Sequence, residues 1–250
     1  MSRVFLIGAG PGDPELLTLK AARLLAQASV VLHDSLVDPR VIMLANARAK
    51  IIDVGKRCGR HSASQAEICA MLVEEAQTGQ MVVRLKGGDP MIFGRATEEM
   101  EALRAAGIGF EVVPGITAAS AAAAGAQISL TQRGISRSLH IITGHGAEGG
   151  LPAHDYAALT KSGGTLAIYM GGETLPGLAA HFIEAGMEPT MPALLIENAS
   201  QPTIRHLRGT IATLPGLHAA RRASGPVLIL IGEVLSEILV NTAVEHAFAG

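Results

Sequence analysis

The sequence predicts an α/β protein of two domains, residues 1–115 and 116–250, with a parallel-rich sheet in the first and a mixed sheet in the second. Three observations carry that reading. Short apolar runs alternate with amphipathic stretches through the first half, the β-α repeat of a parallel sheet covered on both faces. Glycine-rich loops follow several of those runs, above all Lys86-Gly87-Gly88-Asp89-Pro90. Pro114-Gly115 punctuates the chain, and from Ser138 the pattern changes, with two strand candidates only a few residues apart, as an antiparallel pair allows.

In chain order, residues 3–8 read as a buried first strand, and the turn behind it delivers Asp13-Pro14 as N-cap and first residue of a helix through Ala28. Residues 29–33 and 50–54 are the second and third strands. Ser64-Gln65-Ala66-Glu67 is a capping box, opening a helix whose Ile68, Met71, Leu72 and Ala76 share one face. A fourth strand enters the Gly87-Gly88 loop, a helix follows over residues 98–106, and a fifth strand over 109–113. Residues 117–126 form a helix of small residues able to pack closely. Strands are then expected at 139–143, 165–170, 193–198, 204–208 and 227–231, with helices near Tyr156 and over 175–185.

Composition narrows the function. Apolar residues reach 48% and charged residues 17% of the 250, so the chain buries a large core. Up to Gly115 there are 13 basic and 13 acidic residues and after it 7 and 9, so neither part is a basic domain for a polyanion. Tryptophan is absent and other aromatics are few, which argues against platforms for stacking nucleic-acid bases. Two cysteines make no disulfide framework. Cys58-x-x-His61 resembles half a zinc site, yet no second ligand pair follows, so no metal is expected. Residues 1–8 are too short for a signal peptide and no apolar run nears the roughly 20 residues of a membrane span, so a cytoplasmic protein is expected.

The loop after the fourth strand is the strongest candidate for ligand binding. Gly87 and Gly88 let main chain approach a ligand where a Cβ would collide, Asp89 offers a carboxylate to donors, and Pro90 freezes the exit. Alone, such a loop reads better as an ordinary strand-to-helix turn; the motifs that accompany it favour ligand binding. Gly8-x-Gly10-x-Gly12, with Asp34 some twenty residues on, imitates a dinucleotide fingerprint. Its third glycine falls one position early, and Asp13 stands where helix–strand contact needs a glycine and where a pyrophosphate would repel it.

Eight motifs occur in one order: Gly8-Ala9-Gly10-Pro11-Gly12-Asp13-Pro14, His33-Asp34-Ser35-Leu36-Val37, Val54-Gly55-Lys56-Arg57, the Gly87 loop with Phe93-Gly94-Arg95, Pro114-Gly115-Ile116-Thr117-Ala118, Leu130-Thr131-Gln132-Arg133-Gly134, Thr143-Gly144-His145 and Tyr169-Met170-Gly171. Over residues 4–233 this set resembles the tetrapyrrole methylases, most closely the S-adenosyl-L-methionine-dependent uroporphyrinogen-III C-methyltransferases. The resemblance implies two α/β domains of that type (class III methyltransferases), an active site in the trough between them, and a homodimer. It implies methyl transfer to C2 and C7 of uroporphyrinogen III, giving precorrin-2 by way of precorrin-1, with S-adenosyl-L-homocysteine as by-product.

By the same resemblance the cofactor contacts are Pro11, Gly87, Gly88, Asp89, Ile92, Thr117, Ala118, Met170 and Ala199; the catalytic residues are Asp34, Lys56 and Arg95; and the substrate is met by Arg57, Glu98 and Arg133. The chemistry agrees. A substrate with eight carboxylates calls for forked guanidinium donors, of which Arg57, Arg60, Arg95, Arg133 and Arg137 stand in or beside loops. Asp34, at the carboxyl end of a strand, suits a proton acceptor, with an Asx cap of the next turn as the lesser alternative. Arg95 is awkward as a literal base, and Glu98 one turn on can hold it. The chain departs from the family pattern at Ala96-Thr97, where two glycines are usual, at His33 for tyrosine and at Cys69 for asparagine. With the methylase motifs starting at the first strand, an upstream dehydrogenase or ferrochelatase domain such as fused sirohaem synthases carry is not expected. The open alternatives are a methylase of a later precorrin, a diphthamide or ribosomal-RNA methylase on the same fold, and a non-catalytic tetrapyrrole-binding protein.

Overall fold

The structure is a computed structural model, described here for residues 3–55, 63–146, 149–221 and 223–237. The chain divides into two compact units, Met1–Ala118 and Ala119–Gly250.

The first unit holds strands β1 (Arg3–Gly8), β2 (Val30–His33), β3 (Lys50–Asp53), β4 (Met81–Lys86) and β5 (Phe110–Val113) in the order β3-β2-β4-β1-β5. Every pairing is parallel. Strand alternation sends Phe5, Ile7, Val31, Val83 and Leu85 to one face, where helix α1 (Leu19–Gln27) lays Ala21, Leu24 and Leu25 on them. Val4, Leu6, Val30, Leu32 and Val82 face the other way, onto Ile68, Leu72 and Ala76 of α3 (Gln65–Gln77) and Leu103 of α4 (Ala96–Ala105). Each fully buried Leu, Ile or Val contributes roughly 1.5–3 kcal/mol, so these two layers hold the strand ends in place.

The single helix expected over residues 13–28 is two elements. Asp13 caps only a 3-10 turn, Pro14–Leu16, through a 2.9 Å bond from Glu15 N–H. Leu17 and Thr18 are extended, and the Thr18 hydroxyl then accepts from Ala21 N–H at 3.1 Å to start α1. Two N-cap residues five apart make two helix starts, and the second is the stronger because an apolar face follows it. The capping box at Ser64 and Glu67 forms as read. A short helix, α2 (Pro39–Ile42), capped by Asp38, was not anticipated.

The second unit holds β6 (Leu139–Thr143), β7 (Thr165–Tyr169), β8 (Pro192–Glu197), β9 (Arg205–Thr210) and β10 (Val227–Ile231), ordered β6-β7-β10-β8-β9. β6 and β7 are parallel and the other three pairings antiparallel, so the sheet is mixed. Helices α6 (Tyr156–Lys161), α7 (Leu175–Glu184) and α8 (Leu214–Ala220) belong to this unit, α7 and α8 packing Leu178, Phe182 and Leu214 on one face of the sheet. α5 (Ala118–Gly125) packs Ala119 and Ala122 with the opposite face, against Ala167, Leu194, Ile196, Leu228 and Leu230. Pro215 sits in the first turn of α8, a helix the sequence reading missed.

Candidate active site

In the first unit the chain leaves β1 into α1 on one face of the sheet and leaves β4 into α4 on the other, although β1 and β4 are neighbours. That reversal makes a topological switch point, where an open parallel sheet spreads its loops beyond the carboxyl ends of the strands. Both strands end there in glycine: Gly8-Ala9-Gly10 after β1 and Gly87-Gly88 after β4. Main chain knits the two loops together. Ala9 N–H donates to Lys86 at 2.7 Å, Gly10 N–H to Gly88 at 3.1 Å, and Gly88 N–H back to Gly10 at 2.8 Å. Gly115, just past β5, completes the contact, since a Cβ on Gly8 would stand 2.6 Å from its Cα and 2.7 Å from the Gly88 carbonyl oxygen. Backbone this close is possible only without side chains.

Asp89 fastens these loops. One carboxylate oxygen accepts from Met91 N–H at 2.8 Å and the other from Gly115 N–H at 2.9 Å. Pro11, Gly87, Ile92, Thr117 and Ala118 are each partly exposed in the same loop system or at its edge. The Gly8-x-Gly10-x-Gly12 turn hands the chain to the Pro14–Leu16 turn and not to an α-helix. It therefore offers no helix N-terminus to a pyrophosphate, which disposes of the dinucleotide imitation.

Asp34 follows β2 with its side chain about a third exposed, and its Oδ1 accepts from Arg84 Nη2. Arg84 is 1% exposed, and its Nε donates to Glu99 Oε1 at 2.9 Å; Lys86 Nζ donates to the same oxygen at 2.8 Å. Burial, then the neighbouring Arg84, holds the Lys86 ammonium below its ordinary value, while Glu99 pulls the other way. Sequence reasoning passed over Arg84 and Glu99. The available signal was two cations spaced two apart inside an apolar strand, which must point to one face and must find an anion there.

Arg95 Nε meets Glu98 Oε1 at 2.9 Å, as the one-turn spacing suggested, and both side chains are substantially exposed. A hydrogen bond from its own N–H and then Arg95 hold Glu98 below the ordinary glutamate value. Phe93 and Arg95 both lie in the left-handed region, at φ 51° and 53°, on either side of Gly94. Lys56 and Arg57, together with Cys58, Arg60 and His61, lie outside the described residues.

In the second unit β6, β7 and β8 run in one direction, so their carboxyl ends share one edge of the sheet. Left-handed residues concentrate there: Met170 after β7 at φ 57°, and Asn198 and Ser200 after β8 at 53° and 62°. Five of the six described non-glycine residues with positive φ thus sit in loops leaving β4, β7 and β8, and such strain, about 1 kcal/mol or more each, persists where surrounding structure enforces it. Met170 is 52% exposed, an unusual cost for a thioether, whereas Ala199 is buried. The Tyr169 hydroxyl accepts from Ala119 N–H at 2.9 Å and so pins the first turn of α5. Arg133 is exposed at the tip of a tight loop closed by Gln132 and Ser136, which exchange hydrogen bonds of 2.9 Å both ways.

Glycine loops at the switch point of a parallel sheet mark the first unit as an α/β protein of the class that binds small organic ligands beyond its strand ends. The chain belongs to the tetrapyrrole (corrin/porphyrin) methylase family, whose model matches residues 3–215. It is 47% identical over 234 residues to the uroporphyrinogen-III C-methyltransferase of Paracoccus denitrificans, covering 94% of this chain and 82% of that protein. It is 45% identical over 238 residues to the siroheme synthase of Gluconacetobacter diazotrophicus, covering 95% of this chain and 51% of that one. The chain spans about half the length of the curated siroheme synthases it matches. Among solved structures, uroporphyrin-III C-methyltransferase from Thermus thermophilus, complexed with S-adenosyl homocysteine, superposes with a TM-score of 0.80 at 40% identity, covering 94% of this chain and 99% of that one. A cobalt precorrin-4 methyltransferase superposes with a TM-score of 0.84 at 30% identity, covering 94% and 96%.

Proposed function

We propose that this protein is a uroporphyrinogen-III C-methyltransferase, carrying methyl groups from S-adenosyl-L-methionine to C2 and C7 of uroporphyrinogen III and releasing precorrin-2 by way of precorrin-1. The observation that carries this reading is the 47% identity to the Paracoccus enzyme over most of both chains. When bound, the cofactor supplies an electrophilic methyl on a sulfonium. It needs little phosphate chemistry, and the glycine-lined main chain at Gly87-Gly88, the loop from Thr117, and the exposed thioether of Met170 suit an amino-acid end, a ribose and an adenine. We assign Pro11, Gly87, Gly88, Asp89, Ile92, Thr117, Ala118, Met170 and Ala199 to hold it.

Methylation of a pyrrole carbon ends with loss of a proton, and positioning supplies much of the rate. Asp34, held by Arg84 and open to solvent on one side, takes that proton; Lys56 is its charge partner. Arg95, steadied by Glu98, keeps its charge and binds substrate carboxylates beside Arg57 and Arg133. The enzyme works as a cytoplasmic homodimer, a reading that rests on the family; no described helix is long and apolar enough to cross a membrane.

Anaerobic incubation with uroporphyrinogen III and S-adenosyl-L-methionine, followed by mass spectrometry, tests the assignment: a gain of two methyl groups is expected. A second reading, methylation of a later precorrin, is favoured by the superposition on the precorrin-4 enzyme. It predicts no gain with uroporphyrinogen III and methylation of a later intermediate. Asp34→Asn should cut turnover by roughly 10²-fold or more with S-adenosyl-L-homocysteine affinity retained, and unchanged turnover would remove Asp34 from the mechanism.

A further inference from the structure

The cluster beneath Asp34 is larger than a proton acceptor needs. Arg84 and Lys86 project from one face of β4, both almost wholly buried, and Glu99 of α4 is 0% exposed between them. Gln65 of α3 approaches the same Glu99 oxygen at 3.5 Å, while Oε2 of Glu99 is buried and finds no hydrogen-bond partner among the described residues. Removing one member of such a group leaves a buried charge uncompensated, so the four charges Asp34, Arg84, Glu99 and Lys86 stand or fall together. A hydrophobic layer would fill this space at less cost, and the carboxylates and cations are present for some other reason.

Geometry supplies it. The Arg84 guanidinium is planar and permanently charged, with donors in fixed directions. Nε is committed to Glu99, and Nη1 donates to the Leu85 carbonyl at 3.1 Å. These two anchors fix the plane, so Nη2 reaches out of the core in one direction, and there it meets Asp34 Oδ1. Oδ2 of Asp34 makes no hydrogen bond among the described residues, and Asp34 is the one member of the cluster with appreciable exposure. Lys86 extends the assembly the other way: a Cβ on Gly94 would stand 3.3 Å from Lys86 Cε, so the strained Phe93-Gly94-Arg95 turn rests on the lysine stem.

We propose that Arg84 and Glu99 are positioning residues for methyl transfer, with Glu99 aligning the buried Arg84 so that it presents one oxygen of Asp34 to the substrate and keeps the other. The inference rests on the proposed role of Asp34 as proton acceptor. Arg84 itself is too buried to touch substrate and acts through Asp34.

A double-mutant cycle tests this, with purified Asp34→Asn, Arg84→Lys and the double variant assayed for methyl transfer to uroporphyrinogen III and for S-adenosyl-L-homocysteine binding by calorimetry. Lysine keeps the buried charge but loses the fork. Arg84→Lys is expected to lower kcat by roughly ten-fold or more while KM for the methyl donor and homocysteine affinity stay within about two-fold. In the Asp34→Asn background the same change should cost less than about two-fold, because the group it aims is gone. Equal fold-losses in both backgrounds, or a parallel loss of homocysteine affinity, would overturn the proposal. If Arg84→Lys gives no cooperative melt, Glu99→Gln takes its place in the same cycle with the same two outcomes. Full activity of Asp34→Asn alone would refute the acceptor role instead, and absence of wild-type turnover with homocysteine still bound would refute the substrate assignment.

Discussion

Gly115 has no room for a side chain. A Cβ there would press on the Gly88 carbonyl oxygen and stand 2.8 Å from Gly8 Cα, against rigid main chain on both sides. Gly115→Ala should therefore cost roughly 1–3 kcal/mol and weaken homocysteine binding with it; a denaturation midpoint equal to wild type would show that the three loops yield. Met170 presents the opposite case. Its backbone is left-handed and its side chain exposed. Met170→Gly should relieve strain and raise stability by about 1 kcal/mol, while binding S-adenosyl-L-homocysteine less tightly. Stability and affinity that move together would deny Met170 its contact role. Both residues were legible as motif members, but the reason each must be what it is lies in its φ angle or in a neighbour distant in sequence.

Among the elements, the end of β8 depends on one acid. Glu197 is buried and ends its strand where Oε1 accepts from Ser224 N–H at 2.6 Å and Gly225 N–H at 2.9 Å, and Oε2 from Arg205 Nε at 2.6 Å. Burial pushes this carboxyl up, but the Gly225 N–H, the Arg205 side chain and the Ser224 N–H together hold it below the ordinary value of 4.5. A lowered folded value means that the folded state releases the proton more readily than the unfolded chain. The stabilisation is complete above about pH 4.5 and is lost as pH falls through the lowered value. Wild type should lose stability in acid more steeply than Glu197→Gln, and parallel acid limbs would refute this. At neutral pH the glutamine variant should be the less stable by roughly 1–3 kcal/mol, measured by chemical denaturation. Strands and long helices at this scale were read within a residue or two because a period of 2 or 3.6 declares them. The split at Leu17-Thr18 and the short α2 and α8 escaped, since one or two turns of helix carry too little periodicity to register.

For the whole molecule, the family assignment requires that a bound product stabilise the fold. S-adenosyl-L-homocysteine at a hundred times its dissociation constant should add about 2.7 kcal/mol, read as a rise in melting temperature, and a flat response up to millimolar concentrations would count against the cofactor assignment. The β-α alternation and the order of motifs along the chain were sufficient to predict two α/β sheets, one parallel-rich and one mixed, and a resemblance to the methylase family. Such information is local: each loop keeps its glycine, acid or arginine whatever it touches. What tertiary structure alone decided is the company those residues keep. That Asp34 accepts a hydrogen bond from an arginine fifty positions later, which is itself held by Glu99, follows from β2 lying beside β4 and α4 covering one face of both. Strand order is set by the packing of whole layers, and no local spacing encodes it.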